Sequence, residues 1–196
     1  GTGGTGAVSP TVPASGVSGR VVVVGGGMAG ATVAKFLRLW GGSGLDVTLI
    51  ERDRQYQSNI LSNLVLTGQR SMASLAYTHD KLSSAYGVKV VYGNVAEIDP
   101  AGKRVHLADN SSLPYDRLVL APGIAFDTLP GLETAGDRIV HAWQAGPQTV
   151  TLQQQIAAMN AGGVFVLTIP KTPYRCPPGP YERACVVADW LKTRKA

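Results

Sequence analysis

Apolar positions along the chain follow two rhythms. Val21-Val22-Val23-Val24 is a β-branched run without alternation, the pattern of a strand buried on both faces at the centre of a parallel sheet. It predicts a strand over 20–24. A helix-like run follows over 28–40, stopped by the turn Gly41-Gly42-Ser43-Gly44, and a second apolar strand is expected over 46–50. Together these make a βαβ unit with the usual right-handed crossover. Residues 52–78 are polar and irregular, with an apolar patch at Ile60-Leu61 and Leu64-Val65-Leu66 that fits one or two helical turns. A loop this long in a compact domain is usually functional.

A short helix is expected over 80–86, ended by Gly87, and a third parallel strand over 88–92. Residues 93–99, 103–107 and 111–115 alternate and are separated by Pro100-Ala101-Gly102 and Asp109-Asn110, which predicts a β-meander. Tyr115–Leu120 reads as another buried strand, closed by the turn Ala121-Pro122-Gly123. After a loop-like stretch, Pro147 opens a helix running to about 160. Residues 162–169 then read as a new apolar strand, 170–180 as a proline-rich loop and 181–195 as a helix.

The expected organisation is an N-terminal segment 1–19, a dinucleotide-binding domain 20–160, and the first βα unit of a second such domain over 161–196. A lone strand and helix cannot close a sheet, so the chain is expected to be a piece of a longer protein. Residues 1–19 hold only Gly, Thr, Ser, Ala, Val and Pro. They lack the basic start and apolar centre of a signal peptide, and a flexible mature N-terminus is expected.

The turn after the first strand carries the first chemistry. Gly25, Gly27 and Gly30 satisfy G-x-G-x-x-G between a strand and a helix. Gly25 permits the tight turn, Gly27 lets the backbone approach a pyrophosphate, and Gly30 lets the helix pack on the strand. The helix start at Met28 and Ala29 presents unpaired N–H groups and a positive dipole end to that pyrophosphate. Glu51 ends the second strand twenty-one residues after Gly30, placed to accept the hydroxyls of a ribose. An acid there suits an unphosphorylated ribose, so FAD or NAD is expected rather than NADP. The residues alone do not choose between those two, and a glycine-rich turn can also be only a turn.

Composition adds exclusions. With 196 residues, 44% apolar and 16% charged, the chain has the make-up of a soluble globular protein. It holds no apolar stretch near the roughly 18 residues of a membrane span. The net charge of +5 is modest, and its basic residues are scattered apart from Lys192, Arg194 and Lys195. That is solvated surface rather than a nucleic-acid footprint. Two cysteines are too few for a disulfide scaffold.

Cys176 lies in Lys171-Thr-Pro-Tyr-Arg175-Cys176-Pro-Pro-Gly-Pro180, a loop that its prolines keep out of helix and strand. The loop follows a predicted strand's C-terminal end, where α/β sheets bind ligands. A cation beside a thiol favours the nucleophilic thiolate, and Arg175 or Lys171 is such a cation, or is simply solvated. The plainer reading makes Cys176 a small packing residue. Cys185, among Ala184, Val186 and Val187, is expected to pack; a Cys176–Cys185 disulfide is conceivable.

The glycine motif 25–30, the segment Ser58-Asn59-Ile-Leu-Ser62-Asn63-Leu-Val-Leu66, the strand and turn 115–123, and Ile169–Cys185 together resemble the flavoprotein subunit of flavocytochrome c sulfide dehydrogenase. That family is part of the glutathione-reductase-like superfamily, near sulfide:quinone oxidoreductases. The resemblance implies FAD-dependent oxidation of sulfide in the periplasm, with electrons passed to a c-type cytochrome subunit. It makes Cys176 one of two redox cysteines, its partner lying outside this chain. It also implies FAD contacts from Met28, Ala29, Arg52, Asn59, Ser62, Asn63, Val95 and Ala121-Pro122-Gly123, beside Gly25, Gly27, Gly30 and Glu51. A cysteine commonly anchors the flavin covalently in the family; Asn59 stands at that position here, so non-covalent FAD is expected. A sulfide:quinone oxidoreductase and an inactive nucleotide-binding piece are the alternatives.

Overall fold

The computed structural model describes residues 15–169 and 171–195. Most of the expected flexible N-terminus, 1–14, lies outside the described residues. In chain order the elements are β1 (Gly19–Val24), α1 (Met28–Gly41), β2 (Leu45–Glu51), β3 (Tyr56–Gln57), α2 (Asn63–Leu66) and β4 (Ala76–Tyr77). Then come α3 (Asp80–Tyr86), β5 (Lys89–Tyr92), β6 (Val95–Asp99), β7 (Arg104–Leu107), β8 (Ser112–Pro114) and β9 (Arg117–Leu120). Three helices follow: α4 (Leu132–Ala135), α5 (Pro147–Ala158) and α6 (Gly179–Arg194). They fall into two compact units. One joins the chain up to Tyr56 with Thr78–Phe126, and the other joins Gln57–Tyr77 with the chain from Asp127 on.

The first unit is built on a four-stranded sheet of order β5-β2-β1-β9. All its pairings are parallel, with Val23 opposite Leu49 on one side and Val119 on the other. The valine run is continuous because both faces of β1 are covered. Val21 and Val23 pack with Ala34 of α1, Val47, Leu49 and Val88. Val22 turns the other way, onto Ile50 and the Val105, Leu107 and Tyr115 side chains of the meander β6-β7-β8. Val23, Leu49 and Ile50 are essentially fully buried, each stabilising the unit by about 1.5–3 kcal/mol.

The sheet is pinned at its N-terminal end by Asp116, which leads into β9. Its carboxylate accepts from the Arg20 backbone N–H at 2.8 Å and from Nε and Nη2 of the Arg20 guanidinium at 3.2 and 2.9 Å. That pairing holds the Asp116 carboxyl well below the ordinary carboxylate range, first through the Arg20 side-chain hydrogen bonds.

In the second unit, Leu66 of α2, Ala142, Leu152 and Ile156 of α5, and Val187 of α6 form one apolar cluster, with Phe165, Trp190 and Leu191 at its margin. Pro147 occupies the first turn of α5, and the Thr149 hydroxyl accepts from the Gly146 N–H at 3.2 Å. Two sequence expectations change here. The helix of the anticipated βα unit forms as α6, but residues 164–169 make no ladder among the described residues, and Val164 and Val166 stay 83% and 73% exposed. A strand exists only by pairing, and among the described residues no neighbouring edge is offered to this one. Cys185, expected to pack, is exposed. The buried stripe of α6 runs through Arg183 and Val187 to the half-buried Trp190 and Leu191, which leaves position 185 on another face. No helix among the described residues is long and apolar enough to cross a membrane.

Candidate functional site

The strand order reverses at β1, with β2 on one side and β9 on the other, so the C-terminal ends of β1 and β9 form the switch point at which open α/β sheets bind ligands. Gly25 and Ala121 meet there. Gly25 donates to Ile50 O at 2.8 Å and Ala121 to Val24 O at 2.8 Å, carrying the ladder one step past the strands. The three motif glycines have separate reasons. Gly25 has φ +98°, and a Cβ on it would lie 2.1 Å from Ala121 O. A Cβ on Gly30 would lie 1.7 Å from Gly25 O, so α1 can cross the turn only without one. At Gly27, φ is an ordinary −72°, and a Cβ would meet nothing nearer than the Tyr56 ring, at 3.7 Å. No described neighbour therefore requires glycine at Gly27.

Gly27 caps α1 with no side-chain hydrogen bond and no acid in the first turn, and the first intrahelical bond is Ala31 N–H to Gly27 O, at 3.0 Å. The N–H groups of Met28, Ala29 and Gly30 therefore have no partner within the helix, and Met28 and Ala29 are exposed. Unpaired N–H groups at a helix start can receive an anion.

Glu51 closes one side. Its Oε2 accepts from the Gly26 N–H, and its Oε1 from the N–H groups of Arg52 at 2.7 Å and Asp53 at 2.9 Å. Oε2 retains a lone pair for a ribose hydroxyl. The Arg52 side chain turns to Asp53 at the surface, 3.0 Å away. Pro122 and Gly123 are exposed beyond β9. Val95 lies at the start of β6, opposite Leu107, and packs against the meander core.

A residue that the sequence did not single out completes this loop. His79, 4% exposed, places Nε2 2.7 Å from Gly26 O. Gly26 is not one of the motif positions, but a Cβ there would lie 2.6 Å from His79 Nε2 and 3.1 Å from the Glu51 side chain. Nothing local in the sequence links His79 to the glycine loop; only the fold does.

Within the second unit, the candidate residues gather around the turn at 141–146. Asn59 Oδ1 accepts from the Ala145 N–H at 2.7 Å. Asn63 Oδ1 accepts from Arg183 Nε at 3.0 Å, while the other guanidinium nitrogens donate to His141 O and Ala142 O at 2.6 and 2.7 Å. The Arg183 guanidinium also lies over the Trp143 ring, 3.5 Å from its centroid. Burial pulls its pKa from 12.5 down to about 10, which leaves it charged at neutral pH. Burial, and then the Arg183 charge, lowers the pKa of His141. Its Nδ1 accepts from the Trp143 N–H at 3.1 Å.

Ser62 is half-buried just ahead of α2. Cys176 is exposed and free, with φ +59°, three residues before α6. Its carbonyl accepts from the Gly179 N–H at 2.9 Å, and a Cβ on Gly179 would lie 3.3 Å from Sγ and 3.6 Å from the Trp143 ring. Cys185 is likewise free. No cluster of three metal-ligating side chains occurs among the described residues.

The pyridine nucleotide-disulphide oxidoreductase family model matches residues 19–161, the stretch that contains the whole first unit from β1 onward. The chain belongs to this family. Within this oxidoreductase family it is related to flavocytochrome c sulfide dehydrogenase: the model described as the central part of that enzyme's flavoprotein chain matches residues 149–196. The probable ferredoxin reductase CtmF of Castellaniella defragrans is 41% identical over 130 residues, covering 62% of this chain and 31% of that protein. Rhodocoxin reductase of Rhodococcus erythropolis is 34% identical over 146 residues, covering 72% and 33%. The chain thus spans about a third of the length of these relatives. Among solved structures, the sulfide:quinone oxidoreductase of Aquifex aeolicus shares the fold, with TM-score 0.68 and 21% identity over 89% of this chain and 40% of that one. The oxidoreductase family implies a bound flavin, and the open backbone at Gly27 fits a dinucleotide pyrophosphate.

Proposed function

We propose that the protein is the flavoprotein component of a periplasmic sulfide dehydrogenase, oxidising sulfide and passing the electrons to a c-type cytochrome subunit. The observation that carries this reading is the match of residues 149–196 to the flavocytochrome c sulfide dehydrogenase flavoprotein, because that stretch contains Cys176. An exposed thiol on backbone at φ +59° is held in a conformation that costs a non-glycine residue about 1–3 kcal/mol. Such strain concentrates at sites of chemistry.

The bound FAD would supply the two-electron acceptor between sulfide and cytochrome. The chain would hold its pyrophosphate at Gly25, Gly27 and the N–H groups of Met28, Ala29 and Gly30, and its adenosine ribose on Glu51 Oε2. Arg52 and Ala121-Pro122-Gly123 would border it. Val95 is a further FAD contact in this reading. On the substrate side, hydrosulfide attacks a disulfide between Cys176 and a partner cysteine outside this chain. The S–S bond breaks, one cysteine takes the incoming sulfur as a persulfide, and the other leaves as a thiolate. Asn59 has no sulfur for a thioether, so the flavin is held non-covalently.

The test uses the full-length protein. Cys176→Ser should abolish sulfide-dependent reduction of a c-type cytochrome while keeping the flavin; wild-type turnover would remove Cys176 from the mechanism. Acid precipitation should release all the yellow colour to the supernatant, and flavin on the pellet would overturn non-covalent binding. Reduction of a soluble quinone but not of cytochrome would replace the acceptor with a quinone.

A further inference from the structure

We propose that His79 is the positioning residue of the dinucleotide loop: by drawing the Gly26 carbonyl inward, it turns the Gly27 N–H outward to meet the pyrophosphate. The inference rests on the flavoprotein reading above and assigns a role to a side chain outside the glycine motif.

Three observations converge on this residue. The first is the tautomer. Nε2 lies 2.7 Å from a carbonyl oxygen, which can only accept, so Nε2 carries the proton. The second is the use of its position. His79 occupies the N-cap of α3, where Ser, Thr, Asp or Asn would normally bond the helix N–H groups, yet its side chain makes no capping bond. The ring is committed to Gly26 instead, and a local rule is broken there as it is at functional sites. The third is its burial. Nδ1 is buried with no hydrogen-bond partner, a cost of the kind that a native site keeps for a reason.

The consequence follows from peptide geometry. A trans peptide points its C=O and N–H in opposite directions. Gly26 C=O and Gly27 N–H belong to one peptide, so fixing the oxygen against His79 aims the hydrogen away from the protein. On the other side, Glu51 accepts from the Gly26 N–H. Two consecutive peptides are therefore held, one by a ring donor and one by a carboxylate. Gly26 must be glycine for both groups to come this near.

The test compares wild type, His79→Gln and His79→Phe as flavin-free full-length proteins. ADP carries the pyrophosphate and adenosine lacks it; both are titrated, with FAD alongside. His79→Phe fills the same space without a donor and should weaken ADP and FAD by about ten- to a hundredfold, because a Gly26–Gly27 peptide no longer held by the ring populates the binding-competent orientation less. Adenosine affinity should change less than threefold. Gln can place an N–H donor near the Nε2 position and should restore most of the ADP affinity. A purely structural role would instead lower the unfolding midpoint and weaken adenosine and ADP equally. That result, or a His79→Phe protein that binds ADP like wild type, overturns the proposal alone. If the wild type binds neither ADP nor FAD, the flavoprotein reading fails and takes this one with it.

Discussion

A methyl group added at Gly30 would collide with Gly25 O at 1.7 Å, whereas one added at Gly27 would meet nothing nearer than 3.7 Å. Two substitutions in one motif should therefore fail differently. Gly30→Ala has no rotamer to relieve a clash with backbone and should cost at least about 3 kcal/mol of unfolding free energy. Gly27→Ala should stay within about 1 kcal/mol of wild type, the modest preference for glycine over alanine at an N-cap, while weakening FAD by about tenfold or more. Urea denaturation of the flavin-free proteins and flavin titration separate the two effects. Equal stability losses would contradict the distinction. The motif glycines and Glu51 were legible because strand, turn and helix at fixed spacing leave few alternatives. His79 was not, since it meets Gly26 across 53 positions, and no spacing rule reaches that far. Asn63 and Arg183 join across 120 positions and were equally hidden as a pair, although both lie in stretches whose resemblance to a known family was plain.

Among the elements, the parallel strands and the meander were the most readable, although β9, expected to be buried, lies at the sheet edge with Leu120 57% exposed. Residues 164–169 show the converse. Their composition is that of a strand, but a strand is completed by a neighbour that composition does not reveal. The junction of β1 and β9 yields a prediction about acid. The Asp116 carboxyl is held below its ordinary value of 3.8 by Arg20. A carboxylate whose folded pKa is depressed stabilises the fold fully above its unfolded value, and that contribution disappears as pH falls through the folded value. Asp116→Asn should therefore lower the urea midpoint at pH 7 and converge on wild type in strong acid. The pair is exposed, so the gap should be small and should shrink in high salt. A gap that persists unchanged in strong acid would contradict this account.

At the scale of the whole molecule, neither unit is a continuous piece of chain. Read along the sequence, the natural division is near residue 160; compaction instead groups Gln57–Tyr77 with the chain from Asp127 on. The regrouping follows from the long loop at 52–78, whose apolar patch could not be assigned a partner by periodicity alone. Leu66 from that loop is 2% exposed and lies in the cluster that holds Ile156 and Val187. A recombinant piece starting at Asp127 would lack Leu66 and the Asn63 acceptor of Arg183, and should remain unfolded. Circular dichroism and amide dispersion in NMR report this directly. A well-dispersed spectrum from that piece would show that the unit does not need its early segment.

The same discontinuity puts a clock on synthesis. Asn63 is translated 120 residues before Arg183, and at roughly 5–20 residues per second the interval is about 6–24 s. Throughout it, Leu66 and its neighbours have left or are leaving the ribosome without the α6 residues that will cover them. A nascent chain stalled after Leu66 has emerged and before α6 has should therefore be held by chaperones that bind apolar segments, and released once α6 emerges.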